Sequence, residues 1–306
     1  MGPMRSAAEP VDDGPWTHRE VSANGIRIHV AEAGAGPLIV LLHGFPEHWY
    51  AWRHQFEPLA DAGFRVVAPD LRGCGGTDKP PRGYDAYTLA GDIAGLVRAL
   101  GERQAIVAGT GWGGLLAWAI ATLHPQTVQR LVVMGMPHPL RLRTAVFSRD
   151  QARSRRYGLL FQLPRIPEAL LTRADAGFVA RLMREWSGPG WTGTEDFEAA
   201  ARMYRSAVQS PAAAHCALEQ YRWMFRSQFR PDGWRFAYRM RRPVTAPTLQ
   251  LHGGQDGCIE AAAAQGSGRY VAGRYEWRLV PGAGHFLPEE APGVVGGELI
   301  RWAKEA

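Results

Sequence analysis

The sequence predicts an α/β fold, a mostly parallel sheet flanked by helices and carrying an inserted helical cap. Three observations predict it. Continuous apolar runs such as Pro37–His43 and Ala105–Gly109 suit strands covered on both faces. Segments of helical period, such as Tyr87–Leu100, alternate with them. Between residues 139 and 243 the strand signals vanish, and helical sequence rich in arginine and aromatics takes over.

Each element follows from local pattern. Thr17–Ser22 and the alternating Ile26, Ile28, Val30 flank Asn24-Gly25, a hairpin turn pair. Pro37–His43 is the next strand, Trp49–Ala62 a helix and Phe64–Asp70 a strand. Leu89, Ile93, Leu96, Val97 and Leu100 recur at helical spacing and stop at Gly101. Strand Ala105–Gly109, helix Trp112–Leu123 and strand Arg130–Met136 complete the first half, which Pro137-His138-Pro139 breaks. Alternation resumes with strand Ala246–His252, a helix near Glu260–Val271, strand Tyr275–Val280 and a last helix ending at Trp302. The expected organisation is a core of residues 15–138 and 244–306, a cap of residues 139–243 and a disordered tail of residues 1–14.

With 306 residues and 46% hydrophobic content, the chain can bury one large core plus an inserted subdomain. No apolar run approaches the ~20 residues of a membrane span, and the N-terminus lacks the apolar region of a signal peptide. Cys74, Cys216 and Cys258 are odd in number and far apart, with neither a disulfide framework nor metal-ligand spacing. A cytoplasmic protein with no cofactor and no metal is the expectation; a homodimer stays open. The net charge of +6 is concentrated in residues 139–243, which hold 19 arginines against 9 acidic residues. These arginines are scattered among acids and aromatics rather than arrayed in a stripe, which argues against nucleic acid as a partner. Solvated faces account for them; a positive cap that attracts an anionic substrate is the second reading.

The chemistry centres on Gln104–Gly114, which reads as a buried strand, a tight turn and a helix start. Gly109 and Gly113 flank Gly111 as the glycines of G-x-nucleophile-x-G flank the nucleophile. Gly111 has no side chain with which to attack.

His43-Gly-Phe-Pro-Glu47 resembles the HGFPE loop of epoxide hydrolases of the α/β-hydrolase fold. Asp70-Leu-Arg-Gly-Cys-Gly-Gly-Thr-Asp-Lys-Pro80 resembles their D-x-R-G-x-G-x-S/T-D-x-P loop. Gly109–Gly114 is similar to their G-H-D-W-G-G elbow except at the His and the Asp. The resemblance runs from about Trp16 to the C-terminus. It implies a small-molecule hydrophobic epoxide as substrate, attacked by an elbow carboxylate to give an ester that activated water cleaves. It places the oxyanion-hole N–H groups at Phe45 and Trp112. His285, in the glycine-rich loop after the last strand, matches the base, and Asp256 the acid that orients it, although Asp256 also suits a helix N-cap. Tyr157 and Tyr221 resemble the cap tyrosines that protonate the departing oxygen, with Tyr204 a rival for the second role. Phe161, Trp186, Trp191 and Trp223 would make an aromatic substrate pocket favouring a bulky or aromatic epoxide, or else pack the cap.

Glycine at the elbow leaves several accounts open. One is an epoxide hydrolase silenced at Gly111. Another is an enzyme in which His285 and Asp256 act without a covalent step, on water that enters the vacated space or in a cyclisation, isomerisation or elimination. A dehalogenase-like hydrolase and a non-catalytic binding protein of the same fold complete the set. Thr110 precedes the elbow, where the side chain points elsewhere.

Overall fold

The computed structural model describes residues 14–145 and 152–305; most of the tail expected at the N-terminus lies outside them. Eight strands form one sheet in the order β1-β2-β4-β3-β5-β6-β7-β8. They are β1 (Thr17–Ala23), β2 (Ile26–Ala33), β3 (Leu38–Leu42), β4 (Arg65–Pro69), β5 (Ala105–Thr110), β6 (Val128–Met134), β7 (Thr248–Gly253) and β8 (Tyr275–Val280). The hairpin β1–β2 joins antiparallel at one edge, and every pairing from β4 to β8 is parallel.

Strand alternation sends successive side chains into opposite layers. Leu38, Val40, Leu42 and Val107 pack under α2 (Ala86–Ala99) and α3 (Gly111–Leu123). Ile39, Leu41, Ile106 and Ala108 face the other way, toward α1 (Phe56–Asp61) and the C-terminal helix. Both faces are therefore buried, which is why these strands read as unbroken apolar runs.

Between β6 and β7 the described residues form seven α-helices, one short 3-10 turn (Ser227–Phe229) and no strand. They are α4 (Pro139–Ala145), α5 (Ala152–Leu160), α6 (Ile166–Thr172), α7 (Gly177–Trp186), α8 (Glu195–Val208), α9 (Ala213–Arg226) and α10 (Pro231–Arg239). Phe161, Trp186, Phe197 and Tyr204 build a third core there and close over Phe45 and Phe286 of the sheet domain. After β7 come α11 (Ala261–Gln265), α12 (Leu287–Glu290) and α13 (Pro292–Lys304). Among the described residues no helix is long and apolar enough to cross a membrane.

Two expected helices are shorter than their patterns suggest. Trp49–Ala62 divides into a single 3-10 turn, Trp49–Trp52, and α1. Pro58 is tolerated only in a first turn, so α1 cannot begin much before Phe56. The segment near Glu260–Val271 resolves into α11 and a 3-10 turn, Gly266–Tyr270, because Gly266 and Gly268 disfavour continued α-helix.

Candidate active site

The turn from β5 into α3 is built on close backbone approach. A Cβ on Gly113 would stand 2.2 Å from the Leu42 carbonyl oxygen, and one on Gly109 would stand 2.2 Å from the Gly113 oxygen. Gly111 between them holds φ +50°, the left-handed backbone of a sharp elbow. An ideal Cβ there would lie 2.9 Å from Nε2 of His285, with Gly44 Cα next at 3.7 Å. The space beside Gly111 is thus closed on that side by the imidazole, rather than left as a hollow for water. Thr110 is buried in extended backbone at the end of β5 and lines no part of the cavity described below.

His285 sits in the loop between β8 and α12. Its Nδ1 lies 2.9 Å from Oδ2 of Asp256. A carboxylate only accepts, so Nδ1–H donates and the Nε2 lone pair is turned toward the elbow. Oδ1 of Asp256 accepts the N–H groups of Cys258 and Ile259, both at 2.8 Å. One Asp256 oxygen thus meets the imidazole and the other a turn of its own loop, while the residue that caps α11 is Glu260. Burial lowers the His285 pKa, but the charge and hydrogen bond of Asp256 outweigh it, and the net direction is upward.

The His285 loop is also fastened from above. The Trp186 carbonyl, at the end of α7, accepts the N–H of His285 at 3.0 Å and that of Gly257 at 3.2 Å. Glu290 accepts from Gly188 and Gly284, each at 2.7 Å, and from Phe286 at 2.9 Å. One carboxylate and one cap carbonyl thus fix the His285 loop, the loop of Asp256 and Gly257, and the cap relative to each other. The Pro288-Glu-Glu290 run after His285 was the available sequence signal for Glu290; a backbone carbonyl such as that of Trp186 leaves none.

The His43–Glu47 loop abuts the elbow, since a Cβ on Gly44 would stand 3.5 Å from the Trp112 nitrogen. The Trp112 N–H lies in the first turn of α3, where no intrahelical acceptor exists. His43 serves the loop itself: Nδ1 donates to Gly44 O at 2.7 Å and Nε2 accepts the Leu71 N–H at 3.0 Å.

A cavity of about 140 Å³ opens beside His285. Phe45, Trp112, Phe161, Trp186 and Tyr221 line it, with Met136, Met224 and Ile259. Tyr221 packs edge-on against Phe45 and tilted over Trp112, and its hydroxyl has no hydrogen-bond partner among the described residues. Burial pushes this phenol well above its ordinary pKa, so it stays protonated. Tyr157 also lines the cavity, but its hydroxyl donates to Glu185 and accepts from Arg156 at 3.1 Å. The rival Tyr204 is fully buried elsewhere and donates to Glu289 at 2.9 Å.

Two expected pocket residues are not in the cavity. Trp191 packs on Phe197 and Phe286 and donates its indole N–H to Asp196 at 2.9 Å. Trp223 packs on Phe236 and donates to Asp232 at 3.1 Å. A buried indole seeks an acceptor for its N–H, and both found one inside or beneath the cap.

The profile of the alpha/beta hydrolase fold family matches residues 37–292. Epoxide hydrolase 3 of Xenopus tropicalis is 35% identical over 92% of this chain and 76% of its own length. The chain belongs to the epoxide hydrolase family of the α/β-hydrolase fold. The AB hydrolase superfamily protein YfhM of Bacillus subtilis (strain 168) is 35% identical over 93% of this chain and 96% of its own. An epoxide hydrolase from an endophytic Streptomyces superposes with a TM-score of 0.81 at 29% identity, covering 94% of this chain and 95% of that one.

This epoxide hydrolase-like enzyme also carries a buried charged network that its sequence did not announce. Arg53 donates to Glu289 at 2.5 Å and to Asp196 of the cap at 2.6 Å. Glu47 accepts the Gly44 N–H at 2.8 Å, and burial together with the Glu289 carboxyl pushes its pKa well up. The cluster joins the His43–Glu47 loop, α12 and α8, so it holds the cap over the elbow.

Proposed function

We propose that this hydrolase opens a hydrophobic epoxide by attack of a water that His285 deprotonates directly, without an ester intermediate. The observation that carries the reading is the meeting of Gly111 and His285: the elbow keeps its left-handed turn, and the base is turned toward it with no carboxylate between. Water reaching Nε2 from the cavity side gives up a proton as its oxygen attacks an epoxide carbon. The C–O bond breaks, the freed oxygen takes the Tyr221 proton, and the imidazolium returns a proton to the phenolate through solvent. Asp256 stabilises the imidazolium while it exists.

The aromatic lining supports a bulky or aryl epoxide over a small one. Tyr221, with its hydroxyl unengaged, is the proton donor; Tyr157 shapes the cavity wall while its hydroxyl serves Glu185. Without a covalent nucleophile the rate falls by orders of magnitude relative to an ester route, yet stays above the rate in water. Turnover of an aryl epoxide that His285→Ala abolishes supports this function; turnover that persists in His285→Ala rejects it.

A further inference from the structure

We propose that the outer face of α10, with the turn that precedes it, docks on an anionic lipid surface. The proposal is independent of the epoxide-opening reading. Residues 226–242 hold six arginines and one acid, Asp232. That acid is already committed: it accepts the Trp223 indole N–H at 3.1 Å and meets Arg230 at 3.2 Å. Arg226, Arg235, Arg239, Arg241 and Arg242 are exposed and make no ion pair among the described residues. Arginines of α7 and α8 differ, for Arg181 meets Glu185, Arg184 meets Glu198 and Arg205 meets Asp175. The scatter of acids among the arginines of the cap therefore ends at α10.

The same segment carries the three most exposed large hydrophobic side chains of the described residues: Phe229 at 72%, Tyr238 at 67% and Trp234 at 58%. Helical spacing sorts α10 into faces. Phe236 and Met240 turn inward, and Phe236 packs edge-on against Trp223 and Tyr87. Trp234 and Tyr238 form one outward row, and Arg235 and Arg239 form the row beside it, each pair four residues apart. The Trp234 indole N–H donates to the Gln228 carbonyl at 3.0 Å. The one polar group of that ring is thus satisfied within the protein, and what the ring shows to solvent is hydrocarbon. Aromatic rings beside an arginine row are the composition of helices that lie in the headgroup region of a bilayer, with rings inserted and cations on lipid phosphate. Two copies of this face would repel, since neither offers a free acid to the arginines of the other. The Phe229 ring stands 6.2 Å from that of Phe225, which lines the cavity with Met224 and Gln228. Docking therefore brings the cavity wall close to the lipid.

The test is co-flotation of the full chain with vesicles of phosphatidylcholine alone and with vesicles that also contain phosphatidylserine. The mixed vesicles should bind more than about tenfold more tightly at low salt, with the gap narrowing as salt screens the arginines. Arg235→Gln combined with Arg239→Gln should weaken binding to the mixed vesicles by about thirtyfold. Trp234→Ser combined with Tyr238→Ser should weaken it by about tenfold or more. All four side chains are exposed, so both double variants should melt close to the unaltered chain. Arg274→Gln combined with Arg278→Gln removes the same charge at the β8 edge of the sheet and should leave binding unchanged. An equal loss in that control traces the attraction to net charge and overturns the docking face. Equal binding to the two kinds of vesicle, or binding to neither, overturns it as well. Polyuridylate bound more tightly than the mixed vesicles would give the face to nucleic acid, and a dimer dispersed by Trp234→Ser would give it to a second copy; either result overturns it.

Discussion

The imidazole of His285 lies against the bare Cα of Gly111, its Nε2 2.9 Å from the point where a Cβ would stand. A side chain added at Gly111 would therefore point at the imidazole.

Replacing the glycine should create the covalent route. Gly111→Asp places a carboxylate against His285, beside the Trp112 N–H, where an ester should form. The imidazole must give way by a few tenths of an ångström, and a non-glycine residue at φ +50° costs about 1–3 kcal/mol. The variant should melt slightly lower and accumulate a substrate-sized ester adduct with aryl epoxides, read by intact-protein mass spectrometry. A folded variant that forms no adduct with a broad epoxide panel would argue against the alignment.

Protonation of His285 sets the acid side of the pH profile. Asp256 holds the imidazole pKa above its ordinary value, and only the neutral ring can take a proton. The rate should rise with pH through a midpoint above about 6.5. Asp256→Asn removes the charge that raises the pKa, so the midpoint should fall and the rate should drop by up to about 10⁴-fold. On the alkaline side Tyr221 is pushed well above the ordinary phenol, so no decline is expected below about pH 10.

The two cap tyrosines should separate. Tyr221→Phe removes the unengaged donor and should cost about 10²–10⁴-fold in turnover. Tyr157→Phe removes a hydroxyl committed to Glu185 and should cost far less. Equal losses in steady-state kinetics would return Tyr157 to the role that sequence resemblance gave it.

Much of this arrangement was legible in the sequence because its signals are local. Continuous apolar strands, the glycine elbow and the loop around His285 are each written in consecutive residues. The cap was visible as a loss of strand pattern, but its inward face was not. Trp191 and Trp223 carry the same apolar signal as Phe161 and Trp186, and only the positions of Asp196 and Asp232 show which way their indoles turn. The engagement of Tyr157 by Glu185, a residue 28 positions away, was hidden for the same reason. Glu289 and Arg53 are 236 positions apart, a separation at which no spacing rule operates.

That pair makes a stability prediction. Arg53→Ala leaves Glu289 buried without its cation and releases Asp196 of the cap. Breaking such a buried pair should cost about 3–5 kcal/mol, to be read by urea denaturation. Adding Glu289→Gln to Arg53→Ala should recover part of the loss, since a neutral amide tolerates burial better than an orphaned carboxylate. A double variant no more stable than Arg53→Ala would place the cost elsewhere.

The most direct test of the central claim is the origin of oxygen in a single turnover. Enzyme in excess over an aryl epoxide is quenched after one cycle in water labelled with oxygen-18. Direct attack of His285-activated water puts the label into the diol in that first cycle, as the account predicts. Product that emerges unlabelled would mean that a protein oxygen attacked first, and would contradict it.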